Sequence, residues 1–272
     1  MIFRERGVEI KTPEQITLMR EAGLVVGETL ELLRDAVAPG VTTRELDAIS
    51  AEHIASRGAL PSFKGYHGFP ATICTSVNDQ VVHGIPGGLE LHEGDVVSID
   101  CGAIVEGWHG DAAVTVPVGA VPEEVTELLR VCEESMWRGL AAAKLGGRVT
   151  DISAAIEGYV RSQGEYGLVE EYVGHGIGSA MHQPPNVPNY GRPGRGPRLV
   201  KGLALAVEPM ITLGTKQTTV LADDWTVVTT DGSWSAHFEH SFTLTDEGAW
   251  VLTALDGGAA RLSDLGVPCA AG

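Results

Sequence analysis

Residues 96–114 read VVSIDCGAIVEGWHGDAAV. Val96, Val97 and Ile99 before the centre, and Ala112, Ala113 and Val114 after it, predict two strands. Val105, Glu106 and Gly107 predict the turn between them. If the chain folds back about that turn, paired residue numbers sum to an odd value such as 211 or 213. Paired residues point to one side of a sheet, and side chains alternate with period two. Either register therefore puts Asp100 and Asp111 on one face, directly opposite or diagonal. Two carboxylates that close repel each other unless a proton or a cation lies between them.

The surrounding chain has 272 residues, 43% hydrophobic and 20% charged. That composition predicts a globular protein with one sizeable core or two half-domains. No apolar run approaches the roughly 18 residues of a membrane span. The N-terminal residues show no apolar signal region, so no export is expected. Cys74, Cys101, Cys132 and Cys269 lack paired spacing, which fits a reducing cytoplasm. A formal charge of −17 disfavours stable nucleic-acid binding.

Outward from the hairpin, Thr12-Pro13-Glu14 opens a helix with Ile16, Met19, Val26, Leu30 and Leu33 at helical spacing. Thr42-Thr43-Arg44-Glu45 opens a second with a capping-box pattern. Pro122-Glu123-Glu124 starts a third, and Val149-Thr150-Asp151 a fourth. Gly40, Glu45, Leu46, Ile54, Ser56 and Gly58 match Gly146, Asp151, Ile152, Val160, Ser162 and Gly164 at a constant offset of 106 residues. That offset predicts an internal duplication. Further strands are expected at Ala71–Val77, Val169–Val173, Leu203–Glu208, Trp225–Thr230 and Ala236–Leu244, with a proline-ordered loop over Pro184–Arg198. Helix runs alternating with antiparallel strands argue an α+β fold. The reading is a single domain, 1–272, with halves at about 12–119 and 120–255 and a flexible small-residue tail over 257–272.

Five polar residues interrupt otherwise apolar strands: Asp100, Asp111, His175, Glu208 and Glu239. Any one alone has an ordinary structural explanation, a cap or a solvent-facing side chain. Together they are four carboxylates and an imidazole with almost no Lys or Arg in the same strands. A shared pair of metal ions neutralises such a set, and oxygen-rich donors with one histidine suit Mn, Fe, Co or Mg. Cys101, next to Asp100, points to the opposite face and offers no competing ligand.

These residues lie in motifs by which the chain resembles the type I methionine aminopeptidases, from about Ile10 to Leu252. The motifs are GYHGFPATICTSVNDQVVHGIP (Gly65–Pro86), IDCGAIVEGWHGD (Ile99–Asp111), GHGIGSAMHQPPNVPNYG (Gly174–Gly191), AVEPM (Ala206–Met210) and AHFEHS (Ala236–Ser241). The resemblance implies a pita-bread fold, two pseudo-symmetric halves with helices backing a curved antiparallel sheet. It implies that Asp100, Asp111, His175, Glu208 and Glu239 hold two divalent ions (Co, Mn or Fe), with Asp111 and Glu239 bridging. It further implies Glu208 as general base and acid, and His83 and His182 as groups that contact the substrate and stabilise developing charge. A methionine pocket of Tyr66, Phe69, Cys74 and Trp225 follows by the same comparison, with Met181 at a position often aromatic in relatives. Asn78 and Ser235 match positions near a monovalent cation. The remaining histidines, His53, His67, His92, His109, His237 and His240, acquire no catalytic role.

The implied activity is removal of the initiator methionine from peptides and nascent chains, preferably before a small second residue. The implied setting is a cytoplasmic monomer with a transient ribosome contact. A prolidase or aminopeptidase P of the same fold is the nearest alternative, though those enzymes carry a long N-terminal domain. A metal-free binding module is a second alternative, disfavoured because all five ligands are present. Only 25 residues separate His182 from Glu208, too few for the insertion of the type II class.

Overall fold

The computed structural model describes residues 7–270. Its first half holds α1 (Pro13–Ala36), α2 (Thr43–Ser56), β1 (Leu60–Pro61), a 3-10 turn (Tyr66–Gly68), β2 (Ile73–Val77), β3 (Gln80–Val82), β4 (Val96–Val105) and β5 (Trp108–Pro117). Next come α3 (Glu123–Ala142), α4 (Val149–Gln163), β6 (Gly167–Leu168), β7 (Gly174–Gly176), β8 (Gln183–Val187) and β9 (Ala204–Val207). The chain closes with β10 (Met210–Thr212), β11 (Thr218–Val220), β12 (Val227–Thr229), β13 (Ser235–His237), β14 (Glu239–Thr245), β15 (Gly248–Val251) and α5 (Ala259–Asp264).

The helix starts follow their caps. Thr12 and Gln15 exchange reciprocal bonds at 2.9 and 3.4 Å ahead of Pro13, and Thr42 with Glu45 does the same at α2. In α4 the Asp151 carboxylate accepts the Arg148 N–H at 2.7 Å. α1 and α3 end at Ala36 and Ala142, while α2 and α4 begin at Thr43 and Val149, each pair 106 residues apart.

The main antiparallel sheet runs β1–β4–β5–β14–β9–β7–β8, with β2 also on β4 and β15 also on β14. β4 and β5 take the 213 register: Asp100 pairs with Ala113 and Gly102 with Asp111, so the two aspartates are diagonal neighbours on one face. The turn is Glu106–Gly107, both at positive φ (48° and 84°), as a two-residue hairpin of this twist requires. Alternation then sorts the sheet. Val97, Ile99, Cys101, Ala112, Val114, Leu205, Val207, Phe242 and Leu244 enter one core with Leu30, Leu33, Leu46, Leu128 and Ile156 of the helices. Their strand neighbours face the concave side.

Four expectations change. Val169–Val173 is not a strand; the pairing residues are Gly167 and Leu168, which meet β10. Ala236–Leu244 is two strands, because β13 pairs with β10 while β14 joins the main sheet. Pro184–Arg198 is not all loop, since β8 pairs with β7 at the sheet edge, where prolines need donate no ladder bond. The segment from Gly257, expected as a flexible tail, folds back instead. Leu262 of α5 is fully buried, and Cys269 bridges Ala249, so apolar contacts outweigh the small-residue composition. Residues 271–272 of that tail lie outside the described residues.

Candidate metal centre and active site

Strand register alone assembles the site. Cys74 pairs with Asp100, Asp100 with Ala113, and Ala113 with Glu239, so these residues share a face, and Asp111 shares it by alternation. Extending the β14–β9 register by one residue sets Glu208 opposite Glu239. Gly176 pairs with Leu205, which aligns His175 with Ala206 and hence with the face of Glu208. Five residues from four regions of the sequence therefore converge without any long loop.

The convergence is close. His175 Nε2 lies 3.4 Å from Glu208 Oε1 and 3.9 Å from Asp111 Oδ2. Asp111, His175 and Glu239 each offer a donor atom within 4.8 Å of the others, and so do Glu208, His237 and Glu239. Asp100 lines the same cavity. His237 is an addition to the sequence-based set: its buried Nε2 lies 3.7 Å from Glu208 Oε2 and 3.9 Å from Glu239 Oε2. Its sequence signal is a position two residues before Glu239, which in extended chain means the same face.

Electrostatics state what the site needs. Burial raises the Asp100 carboxyl to about 7 and Glu208 to about 8. Asp111 and Glu239 are pushed well above the carboxylate range, first by burial and then by the neighbouring acids. Burial also lowers His175 to about 3, His83 to about 4, and His182 and His237 below the ordinary imidazole value. Among the described residues no positive charge thus balances the four acids. Asp100 Oδ1, Asp111 Oδ1, Glu239 Oε1 and His237 Nε2 have no hydrogen-bond partner among the described residues. Each unpaired buried polar atom costs about 1–3 kcal/mol. Hard oxygen donors with imidazole nitrogens and free lone pairs fit a divalent cation.

The acids floor a cavity of ≈ 150 Å³ walled by Phe63, Tyr66, Phe69, Cys74, Met181 and Trp225, with His83 and His182 at its sides. Phe69 and Trp225 meet edge to face at 5.0 Å, and Met181 is buried in the same apolar cluster as Phe63, Phe69 and Cys74. Met181, at a position often aromatic in relatives, is thus a wall residue here, and Phe63 is a further one that the sequence reading does not include. Tyr66 Oη lies 2.9 Å from His182 Nδ1. His83 is held at φ 62°, a backbone region that non-glycine residues rarely adopt and that recurs at functional sites. The next residue, Gly84, lies against β2, where a Cβ would fall 2.1 Å from the Thr75 carbonyl oxygen, so only glycine fits there.

Other expected residues fall as follows. Asn78 and Ser235 are adjacent, the Ser235 N–H donating to the Asn78 carbonyl at 2.9 Å. His53, His109 and His240 are engaged elsewhere, with Thr29, Ser62 and Thr253. His67 packs on the outer side of Tyr66.

Comparison with known proteins places this arrangement in context. The chain matches the model of metallopeptidase family M24 over residues 17–246. It is 53% identical over 245 residues to the methionine aminopeptidase of Clostridium acetobutylicum, covering 90% of this chain and 98% of that protein. The crystal structure of the methionine aminopeptidase from Thermotoga maritima matches with a TM-score of 0.89 at 42% identity, over 91% of this chain and 99% of the other. The prolidase of Pyrococcus furiosus shares the fold, with a TM-score of 0.72 at 22% identity, and this chain spans 65% of its length.

Proposed function

The chain belongs to metallopeptidase family M24, among its methionine aminopeptidases, and from that premise we propose that it hydrolyses the first peptide bond of peptides and nascent proteins that begin with methionine. A small second residue is preferred. The observation that carries this reading is a single cavity joining an acid-and-imidazole floor to an apolar wall. Its floor suits a metal-assisted hydrolysis, and its wall suits a thioether.

On this reading Asp100, Asp111, His175, Glu208 and Glu239 would hold two divalent ions (Co, Mn or Fe), Asp111 and Glu239 serving both. Divalent ions so held supply Lewis acidity, bringing the pKa of a water toward neutrality and polarising a carbonyl. Asn78 and Ser235 would hold a monovalent cation.

The remaining chemistry belongs to the chain's own residues. Glu208 takes the proton of the attacking water and returns it to the leaving amine. On this reading Tyr66 Oη, 2.9 Å from His182 Nδ1, takes the donor role in their hydrogen bond, which assigns the ring proton to Nε2. His83 and His182, kept neutral by burial, present N–H groups to the charge that develops on the tetrahedral carbon's oxygen and at the scissile nitrogen. Phe63, Phe69, Cys74, Met181 and Trp225 enclose the methionine side chain. Each thioether contact with a ring contributes about 0.3–1.5 kcal/mol, enough to favour methionine over leucine.

No described helix is long and apolar enough to cross a membrane. We infer a cytoplasmic monomer that meets nascent chains in transient contact with the ribosome and forms no stable nucleic-acid complex. The test against the prolidase alternative is a paired assay of the metal-loaded protein. It should release methionine from Met-Ala-Ser and leave Ala-Pro intact. Cleavage of Ala-Pro with Met-Ala-Ser untouched would overturn the reading.

A further inference from the structure

Glu9 lies in the segment before α1, far in sequence from every residue of the site. Its carboxylate is held from one loop by three bonds. Ser179 Oγ donates to Oε1 at 2.7 Å, the Ser179 N–H to Oε2 at 3.1 Å, and Gln183 Nε2 to Oε2 at 2.9 Å. Ser179 and Gln183 bracket Met181 and His182, the two residues by which that loop lines the cavity. A single side chain therefore fastens both ends of the loop.

Glu9 is itself anchored. Lys11, only 5% exposed, places Nζ 3.5 Å from Glu9 Oε2 and donates to the Glu9 carbonyl at 3.3 Å. The Lys11 N–H donates to the Gly202 carbonyl at 2.8 Å, and Ile10 bridges Leu203, beside the strand that leads to Glu208. Gly178 leaves room for the arrangement, since a Cβ there would fall 2.3 Å from both Glu9 Oε2 and Lys11 Cε. An isolated surface ion pair contributes little. A carboxylate receiving three directed bonds, one of them from a backbone N–H, defines a geometry.

We propose that Glu9, backed by Lys11, is a positioning residue that holds His182 and Met181 at the cavity, so that the N-terminal segment sets both turnover and selectivity for methionine. This rests on the reading of His182 as a group that meets the substrate. Without the clamp the imidazole and the thioether shift together, while the acid floor, carried by other strands, stays in place.

The test compares wild type, Glu9→Ala, Glu9→Gln, Ser179→Ala and His182→Ala at saturating metal, on Met-Ala-Ser and Leu-Ala-Ser. Glu9→Ala should lower kcat about tenfold, as a misplacement of an ångström or less does. It should also narrow the methionine-over-leucine ratio about threefold, the scale of one lost thioether contact. Glu9→Gln, which keeps one acceptor oxygen, should recover part of both. Ser179→Ala, which leaves the N-terminal segment untouched, should move both in the same direction, and it carries the test should Glu9→Ala fail to fold. Wild-type kcat and selectivity in Glu9→Ala, with His182→Ala impaired, would overturn the proposal. Wild-type kcat in His182→Ala would instead overturn the catalytic assignment on which it rests, and the proposal with it.

Discussion

Asp111→Ala lowers kcat/KM on a methionyl peptide by about a thousandfold or more, because metal-derived stabilisation of several kcal/mol is lost at about 1.4 kcal/mol per tenfold. Asp111 is buried, diagonal to Asp100 across the hairpin and 3.9 Å from His175 Nε2. Asp111→Asn keeps the shape and should lose nearly as much, since an amide oxygen is a weaker donor to a divalent ion than a carboxylate. Misfolding is separated from loss of function by a second readout. Removing one of four mutually repelling buried acids should raise the melting temperature of the metal-stripped protein, even as activity disappears. Steady-state kinetics with added Mn or Co and a thermal melt of the stripped protein check both halves. Normal turnover in Asp111→Ala would remove it from the site.

The second large effect is a pH-dependent loss of stability in the metal-stripped protein between about pH 6.5 and 8. The folded state holds the carboxyls of Asp100 and Glu208 at about 7 and about 8, and those of Asp111 and Glu239 well above their usual range. Unfolded, the same groups are already ionised near pH 4. The folded chain therefore binds more protons, and stability falls as pH rises through the folded pKa values. The buried histidines act in the opposite direction. Their folded values are lowered, so their contribution is present above about 6.5 and is lost only on acidification. Lys11, lowered to about 8, adds stability only above that pH. Between 6.5 and 8 the acids are the groups left to act. A melting temperature lower by roughly 5–10 °C at pH 8 than at pH 6.5 is expected for a chain of this size. Added divalent ion should restore most of it. A flat profile for the stripped protein would mean that the acids are neutralised by something other than metal.

Much of this was legible in the sequence for one reason: strand alternation is strict. The Val96–Val114 stretch specifies which residues face the site whichever odd-sum register forms, and the structure selects the diagonal one through the Glu106–Gly107 turn. The helix starts were legible through Thr12, Thr42 and Asp151, whose caps act within one turn. What escaped depends on partners distant in sequence. β8 reads as loop because its prolines look like breakers, and only its place at the sheet edge makes them harmless. The segment after Gly257 reads as a tail because the surface that covers Leu262 belongs to other elements. His237 and Phe63 look like ordinary strand and loop residues until the fold brings His237 beside Glu208 and turns Phe63 toward the cavity. Glu9 is the extreme case, a surface acid by sequence whose partners lie some 170 residues away.

The central claim is that one face of the sheet holds two divalent ions which the cavity puts to work on N-terminal methionine. Anaerobic calorimetric titration of the metal-stripped protein, with Fe, Mn, Co and Zn in turn and methionine release from Met-Ala-Ser followed in parallel, tests it most directly. The account predicts binding that saturates at two ions per chain, with methionine release appearing only as the ions are bound. Full methionine release from the stripped protein, or saturation with no activity from any of the four metals, would contradict it.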